Sequence, residues 1–291
     1  MKSTQQGVSE TVCLVPIAGC LIAAESQIGG TDWKASNSQQ KRFLADHYAA
    51  SRGEVAALPE VESIASKKAS DINEFLAARG FSIQLPEFDP NSLSFGVASV
   101  FKLLLEWIRP GTITKVRDGR YPAVLLKNDL AYFHSKRAKN PIVSIEAKNG
   151  DQVFMTAYAD PPKGFDLLKL VEDISGSLNQ AGGFDGVVFP MIDYDEMIDI
   201  SWIQGLSVTA ESGPWEIERA LQQTKFRMNE VGAKVESAVA MGIRYACCAG
   251  EPNPPVVIDQ PFLLWITRPG LSHPLFVAFF TESHWKKPKS L

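Results

Sequence analysis

From Ala233 to Tyr245 the chain alternates. Ala233, Val235, Ser237, Val239, Met241, Ile243 and Tyr245 would share one face, and Lys234, Glu236, Ala238, Ala240, Gly242 and Arg244 the other. Strand side chains point to opposite faces with period two, so the segment has one apolar face and one wet face. A strand candidate that includes Phe226 leads into it. Gly232 forms a hinge, and the proline-rich residues 251–255 follow as exposed loop. A loop patterned as a strand is unusual, and residues 226–245 are the main clue to function.

The rest of the composition is that of an ordinary globular protein: 291 residues, 45% hydrophobic and 21% charged, with a net charge of -4. One domain over residues 1–291 is expected. No basic stripe marks a nucleic-acid partner. The four cysteines, Cys13, Cys20, Cys247 and Cys248, form no CxxC pair. Neither a zinc site nor a disulfide framework is therefore expected, and free thiols suit a reducing, cytoplasmic compartment. Ile17-Ala18-Gly19-Cys20 resembles a lipoprotein cleavage box, which would make the chain exported or lipid-anchored through Cys20. Against this, only Lys2 precedes the apolar run at 12–24, Glu10 flanks it and Pro16 interrupts it. The run is too short to span a bilayer as a helix, so a buried helix and no membrane partner are expected.

Helical patterns cover 12–24 (with Pro16 near the start and Gly29-Gly30 at the end), 36–50, 58–79, 93–108 and 165–178. Strand patterns cover 81–85, 123–133, 187–191, 256–266 and 275–280, the last two around the turn Arg268-Pro269-Gly270. A hairpin joins 142–146 to 153–158 through Asn149-Gly150. Helices come early and strands late, which implies an α+β fold. Asp193, Asp195, Glu196 and Asp199 lack the glycine turn of a calcium loop and read as a solvated connection. His47, His134, His273 and His284 are scattered, with no HExxH or triad signature. Gly29-Gly30 and Gly182-Gly183 are turn glycines. No metal, cofactor or enzymatic activity is expected.

Residues 229–240, Asn229-Glu230-Val231-Gly232-Ala233-Lys234-Val235-Glu236-Ser237-Ala238-Val239-Ala240, resemble the hinge of the serpins, in which an acidic residue and a glycine precede small residues. Asp259-Gln260-Pro261-Phe262-Leu263-Leu264-Trp265-Ile266 followed by Leu275-Phe276-Val277-Ala278-Phe279 resembles that family's closing pair of core strands. Weaker, collinear likenesses lie upstream. Residues 12–31 resemble the buried second helix. Residues 106–108 with 111–113 resemble the end of the helix that lies across the main sheet. Residues 123–133 resemble its central strand, and 142–158 with 165–178 a strand pair followed by a helix. No counterpart of the family's first helix is expected. Strands of the small sheet that anchors the loop's far end are expected to be missing between Phe133 and Ile142. Val15 and Ala18 stand where the family has buried hydroxyls, and Gln222 where it has a histidine, so sheet opening is expected to differ.

The resemblance implies a compact serpin-like fold, mainly antiparallel sheets with an N-terminal helical part and an exposed reactive-centre loop. It implies a monomeric protease inhibitor whose partner, a serine or cysteine protease, cleaves the loop and is trapped when the hinge inserts as a strand. The hinge would be Glu230, Gly232, Ala233, Val235 and Ser237, and the reactive bond Ala246–Cys247, with Arg244 and Tyr245 as further specificity candidates. Burying Val235, Val239, Met241 and Ile243 would give on the order of 10 kcal/mol before entropy is subtracted. Val235 and Glu236 are bulkier than typical inhibitory hinges carry. The alternative is a non-inhibitory serpin-like interaction module. Adjacent Cys247 and Cys248 suggest either a redox switch or two exposed thiols without a role.

Overall fold

A computed structural model of the chain describes residues 8–88, 95–233 and 253–289. Its base is an antiparallel seven-stranded sheet. The order is Glu10–Val12, Phe276–Phe280, Phe262–Thr267, Gln152–Ala157, Ala138–Glu146, Leu130–Ser135 and Asn179–Gln180. Its central strands are apolar on both faces because both are covered. Leu263, Trp265, Val277 and Phe279 pack against one helix, while Phe262, Leu264, Ile266 and Phe280 point into the main core.

The described residues include four helices: α1 (Val15–Ile28), α2 (residues 38–56), α3 (Ala69–Ala78) and α4 (Phe165–Ser175). α4 is the helix that covers the seven-stranded sheet. α1 carries Pro16 in its first turn and is capped by Gly29, which has φ 77° as the left-handed cap requires. It is buried on most sides, as its composition implies. α2 carries a π-helical segment, Phe43–Tyr48.

Two separate pairs of strands stand apart from this base. β1 (Val61–Ser66) pairs antiparallel with β2 (Gly96–Phe101). β3 (Ile192–Ile198) pairs antiparallel with β4 (Gln222–Met228). A separate four-stranded sheet contains Thr112–Val116, Tyr121–Leu126, Val187–Pro190 and Val256–Val257.

Several expectations are corrected. Residues 95–108 are not helical: Val97, Val100, Phe101 and Leu104 fit a helical stripe, but in the strand Gly96, Ala98 and Val100 are buried on one face and Val97 and Phe101 stand on the other. Pairing with β1 and the β-branched valines decide for the strand. Residues 58–79 divide into β1 and α3 instead of forming one helix. Residues 123–133 are not one central strand. Asp129, with φ 60°, breaks them into strands of two different sheets. Residues 193–198, read as connection, belong to β3. Residues 81–85 are extended but pair with no strand among the described residues. The small sheet expected to be missing is present, with its strands at 112–126 and 187–190 and not after Phe133.

Candidate functional site

β2 and β4 face each other across a gap. Each is paired on its outer edge only, and no ladder joins the two among the described residues. Unpaired strand edges are ready templates for another strand. The gap opens a cavity of about 990 Å³. Pro16, Ile17, Cys20 and Leu21 of α1 form its back wall. The sequence Ile17-Ala18-Gly19-Cys20 therefore lies inside a packed helix. A side chain at Gly19 would collide with Ser99 Oγ of β2. Cys13, just before α1, is buried, and burial pushes its thiol up to about 12.

Residues 81–88 cross the front of the gap. Phe81, Ile83, Leu85 and Phe88 line the cavity, and the same side chains pack with Ile72 and Leu76 of α3 against Ala98 and Val100 of β2. One end of this strap is held by α3: Leu85 N–H donates to Asn73 Oδ1 at 2.8 Å, and Asn73 Nδ2 donates to Leu85 O at 2.9 Å. The other end reaches β4, where Ser82 N–H donates to Gln223 Oε1 at 2.8 Å.

Alternate residues of β4 serve different faces. Gln222 donates through Nε2 to Cys13 O at 2.9 Å, and Phe226 stacks on Phe276 and Phe280 with ring centroids 5.1 and 5.3 Å away. On the opposite face Lys225 pairs with Asp195 at 2.8 Å and Arg227 with Asp193 at 3.2 Å. Burial would raise the Asp195 pKa, but the bonds from Lys225 and Gln223 outweigh it and hold the carboxyl low. These acidic residues are cross-strand partners of cations, which accounts for their clustering.

The mouth of the gap is built by a reversal of the chain. Asn229 and Gly232 pair antiparallel, with Asn229 N–H donating to Gly232 O at 3.0 Å. Glu230 and Val231 make the turn, and Asn229 Oδ1 accepts from Val231 N–H at 2.9 Å, a local bond that asparagine side chains favour. Gly232–Ala233 then runs back antiparallel against Leu105–Glu106, the continuation of β2. These two residues thus sit between the end of β4 and the extension of β2, at the head of the gap. Gly232 has φ 140°, and a Cβ there would lie 2.8 Å from Glu106 Cα and against Leu105 O. Both conformation and space require glycine.

Three bonds clasp the turn. Trp107 N–H donates to Val231 O at 3.2 Å and Gly111 N–H to Glu230 O at 2.7 Å. Trp107 Nε1 donates to Asn229 O at 3.0 Å. Glu230 Oε2 is buried and takes no hydrogen bond from the described residues. At the far end of the loop, Val256–Val257 pairs in parallel with Val187–Val188. Gly232–Ala233 and Val256–Val257 are thus each held in a sheet.

No protein-family model matches the sequence, and no curated protein matches it. Solved structures do match over nearly its whole length. They include a serpin from Schistosoma mansoni (TM-score 0.59, 10% identity, 96% of each chain covered). Mouse protein-Z dependent protease inhibitor matches with TM-score 0.55 and 12% identity over 95% of this chain and 91% of that one. Human thyroxine-binding globulin matches with TM-score 0.55 and 10% identity over 94% and 91%. The chain has the serpin fold. It is α+β, with mostly antiparallel sheets, as the sequence implied.

In this serpin-fold chain Glu230, Gly232 and Ala233, three of the residues expected to form a hinge, come together at the head of the gap. Val235, Ser237, Arg244, Tyr245, Ala246, Cys247 and Cys248 lie outside the described residues. The sequence reading missed the clasp formed by Trp107 and Gly111 and the strap at 81–88. The alternation Phe81, Ile83, Leu85 was the visible signal for the strap. Nothing local marks Trp107 as the partner of a turn more than a hundred positions later.

Proposed function

We propose that this chain is a serpin-type protease inhibitor whose residues 233–246 act first as bait and then as an inserting strand. The observation that carries the reading is the re-entry of Gly232–Ala233 between the extension of β2 and the end of β4, above an apolar gap with two unpaired edges. The apolar face of Ala233, Val235, Val239, Met241 and Ile243 matches a gap backed by α1, and the wet face with Lys234 and Glu236 suits the outer side. The tie at Val256 supports an anchored loop. It removes the reason for expecting an unanchored one. Ala246–Cys247 is the proposed reactive bond, with Arg244 and Tyr245 as alternatives, and the partner is a serine or cysteine protease met by a monomer.

A second reading, a non-inhibitory binding module, is favoured by the strap. Residues 81–88 cover the gap's front, and a covered apolar cavity of this size also suits a small apolar ligand. Incubation with a panel of serine and cysteine proteases separates the two. Inhibition gives an SDS-stable adduct and cleavage between Ile243 and Gly250. Cleavage without any adduct, across the panel, rejects inhibition.

A further inference from the structure

Away from the gap, three segments distant in sequence converge on a small polar cluster. His47 comes from the π-helical segment of α2, Glu172 from α4, and His273 from the connection before Phe276–Phe280. One ligand-capable atom from each lies within 4.8 Å of the others. His47 is only 5% exposed, yet neither of its ring nitrogens has a hydrogen-bond partner among the described residues, and His273 Nε2 is likewise buried and unpartnered. Buried polar atoms are seldom left so, and each one costs free energy unless something occupies it. A cavity of about 30 Å³ adjoins both histidines, enough for one water or one ion.

We propose that His47, His273 and Glu172 form a binding site for a divalent transition cation, with zinc the best fit. Two imidazoles and one carboxylate, with a fourth position open to water, are a donor set that zinc accepts. One pair of donors already lies close together. His273 Nδ1 lies 2.8 Å from Glu172 Oε1. An ion held by these two atoms would take the place of the proton between them. Phe165 stacks on the His47 ring, with centroids 5.6 Å apart and planes 9° apart, and fixes its orientation. Ligand atoms around tetrahedral zinc would be about 3.4 Å apart at ordinary bond lengths. The atoms lie within 4.8 Å of one another, so binding would draw them together by about 1.4 Å at most. A bound ion would cross-link α2, α4 and the C-terminal hairpin, at a distance in sequence that no histidine motif reveals.

The test uses the full chain carrying Cys247→Ser and Cys248→Ser, so that loop thiols bind no metal. Zinc chloride is titrated calorimetrically, and cobalt(II) absorption reports ligand geometry. The expected result is one zinc per chain, a zinc-dependent rise in Tm, and tetrahedral cobalt bands. Glu172→Gln weakens binding by about 10–100-fold, and His273→Gln abolishes the Tm response. His273 is partly exposed, so its variant folds even where His47→Gln does not. Two results overturn the proposal: no zinc bound at about 100 µM by the folded chain, or equal zinc affinity in His273→Gln.

Discussion

Replacing Gly232 by alanine separates a strand entering the gap from a turn that merely rests beside it. A residue with a Cβ at φ 140° costs about 1–3 kcal/mol in backbone strain, and the close approach to Leu105 O and Glu106 Cα adds overpacking of about 1–3 kcal/mol. The chain can escape this by withdrawing residues 232–233 from Leu105–Glu106. Withdrawal gives up the short ladder and the Trp107 N–H bond to Val231 O, two or three hydrogen bonds worth about 1 kcal/mol each. Withdrawal is the cheaper route, so the variant should remain folded and lose about 2 kcal/mol of local stability. Native-state hydrogen exchange at Trp107 reads this directly, with an expected loss of protection of about 30-fold. The same variant should form protease adducts more slowly, because its hinge must first re-enter. Unchanged protection at Trp107, together with unchanged adduct formation, would refute the assigned conformation of Gly232.

Three further outcomes follow from the same geometry. Gln223→Ala removes the acceptor for Ser82 N–H and a donor to Asp195; the strap should open about fivefold more often, roughly 1 kcal/mol, seen as faster exchange at Ser82. Arg268→Met leaves Asp151, 1% exposed, without its cation, and should cost about 3–5 kcal/mol in denaturant unfolding. The Arg268 hydrogen bond also holds the Glu60 carboxyl below its usual range. That contribution is complete above the unfolded carboxylate pKa of about 4.3 and is lost as pH falls through the lower folded value. Wild type should therefore lose stability on acidification in that window, and Arg268→Met should show a shallower slope.

The C-terminal half of the fold was legible because its signals are local. Asn149-Gly150 marks a hairpin with Gly150 at φ 84°, and the apolar runs at 262–266 and 276–280 form doubly covered strands. α1 was legible from Pro16 and Gly29 for the same reason. Residues 93–108 were not, because Val97, Val100, Phe101 and Leu104 fit a helical stripe, while the period-two burial of Gly96, Ala98 and Val100 follows only from the partner strand. Residues 58–79 failed likewise, since Val61 and Ile64 continue the stripe of the following helix. Of the site, Gly232 could be read from its position before an alternating run. The gap itself could not, because an unpaired edge is a relation between β2 and β4 and no residue carries it. The histidine cluster was unreadable for the same reason, as positions 47, 172 and 273 meet only in the folded chain.

Thermal unfolding after a single cut within residues 243–250 tests loop insertion most directly. A non-target protease makes the cut, and the nicked chain is compared with the intact one. If residues 233–243 fill the gap between β2 and β4, new ladders form on both edges and the nicked chain melts higher than the intact one. A nicked chain that melts at the same temperature or lower contradicts insertion.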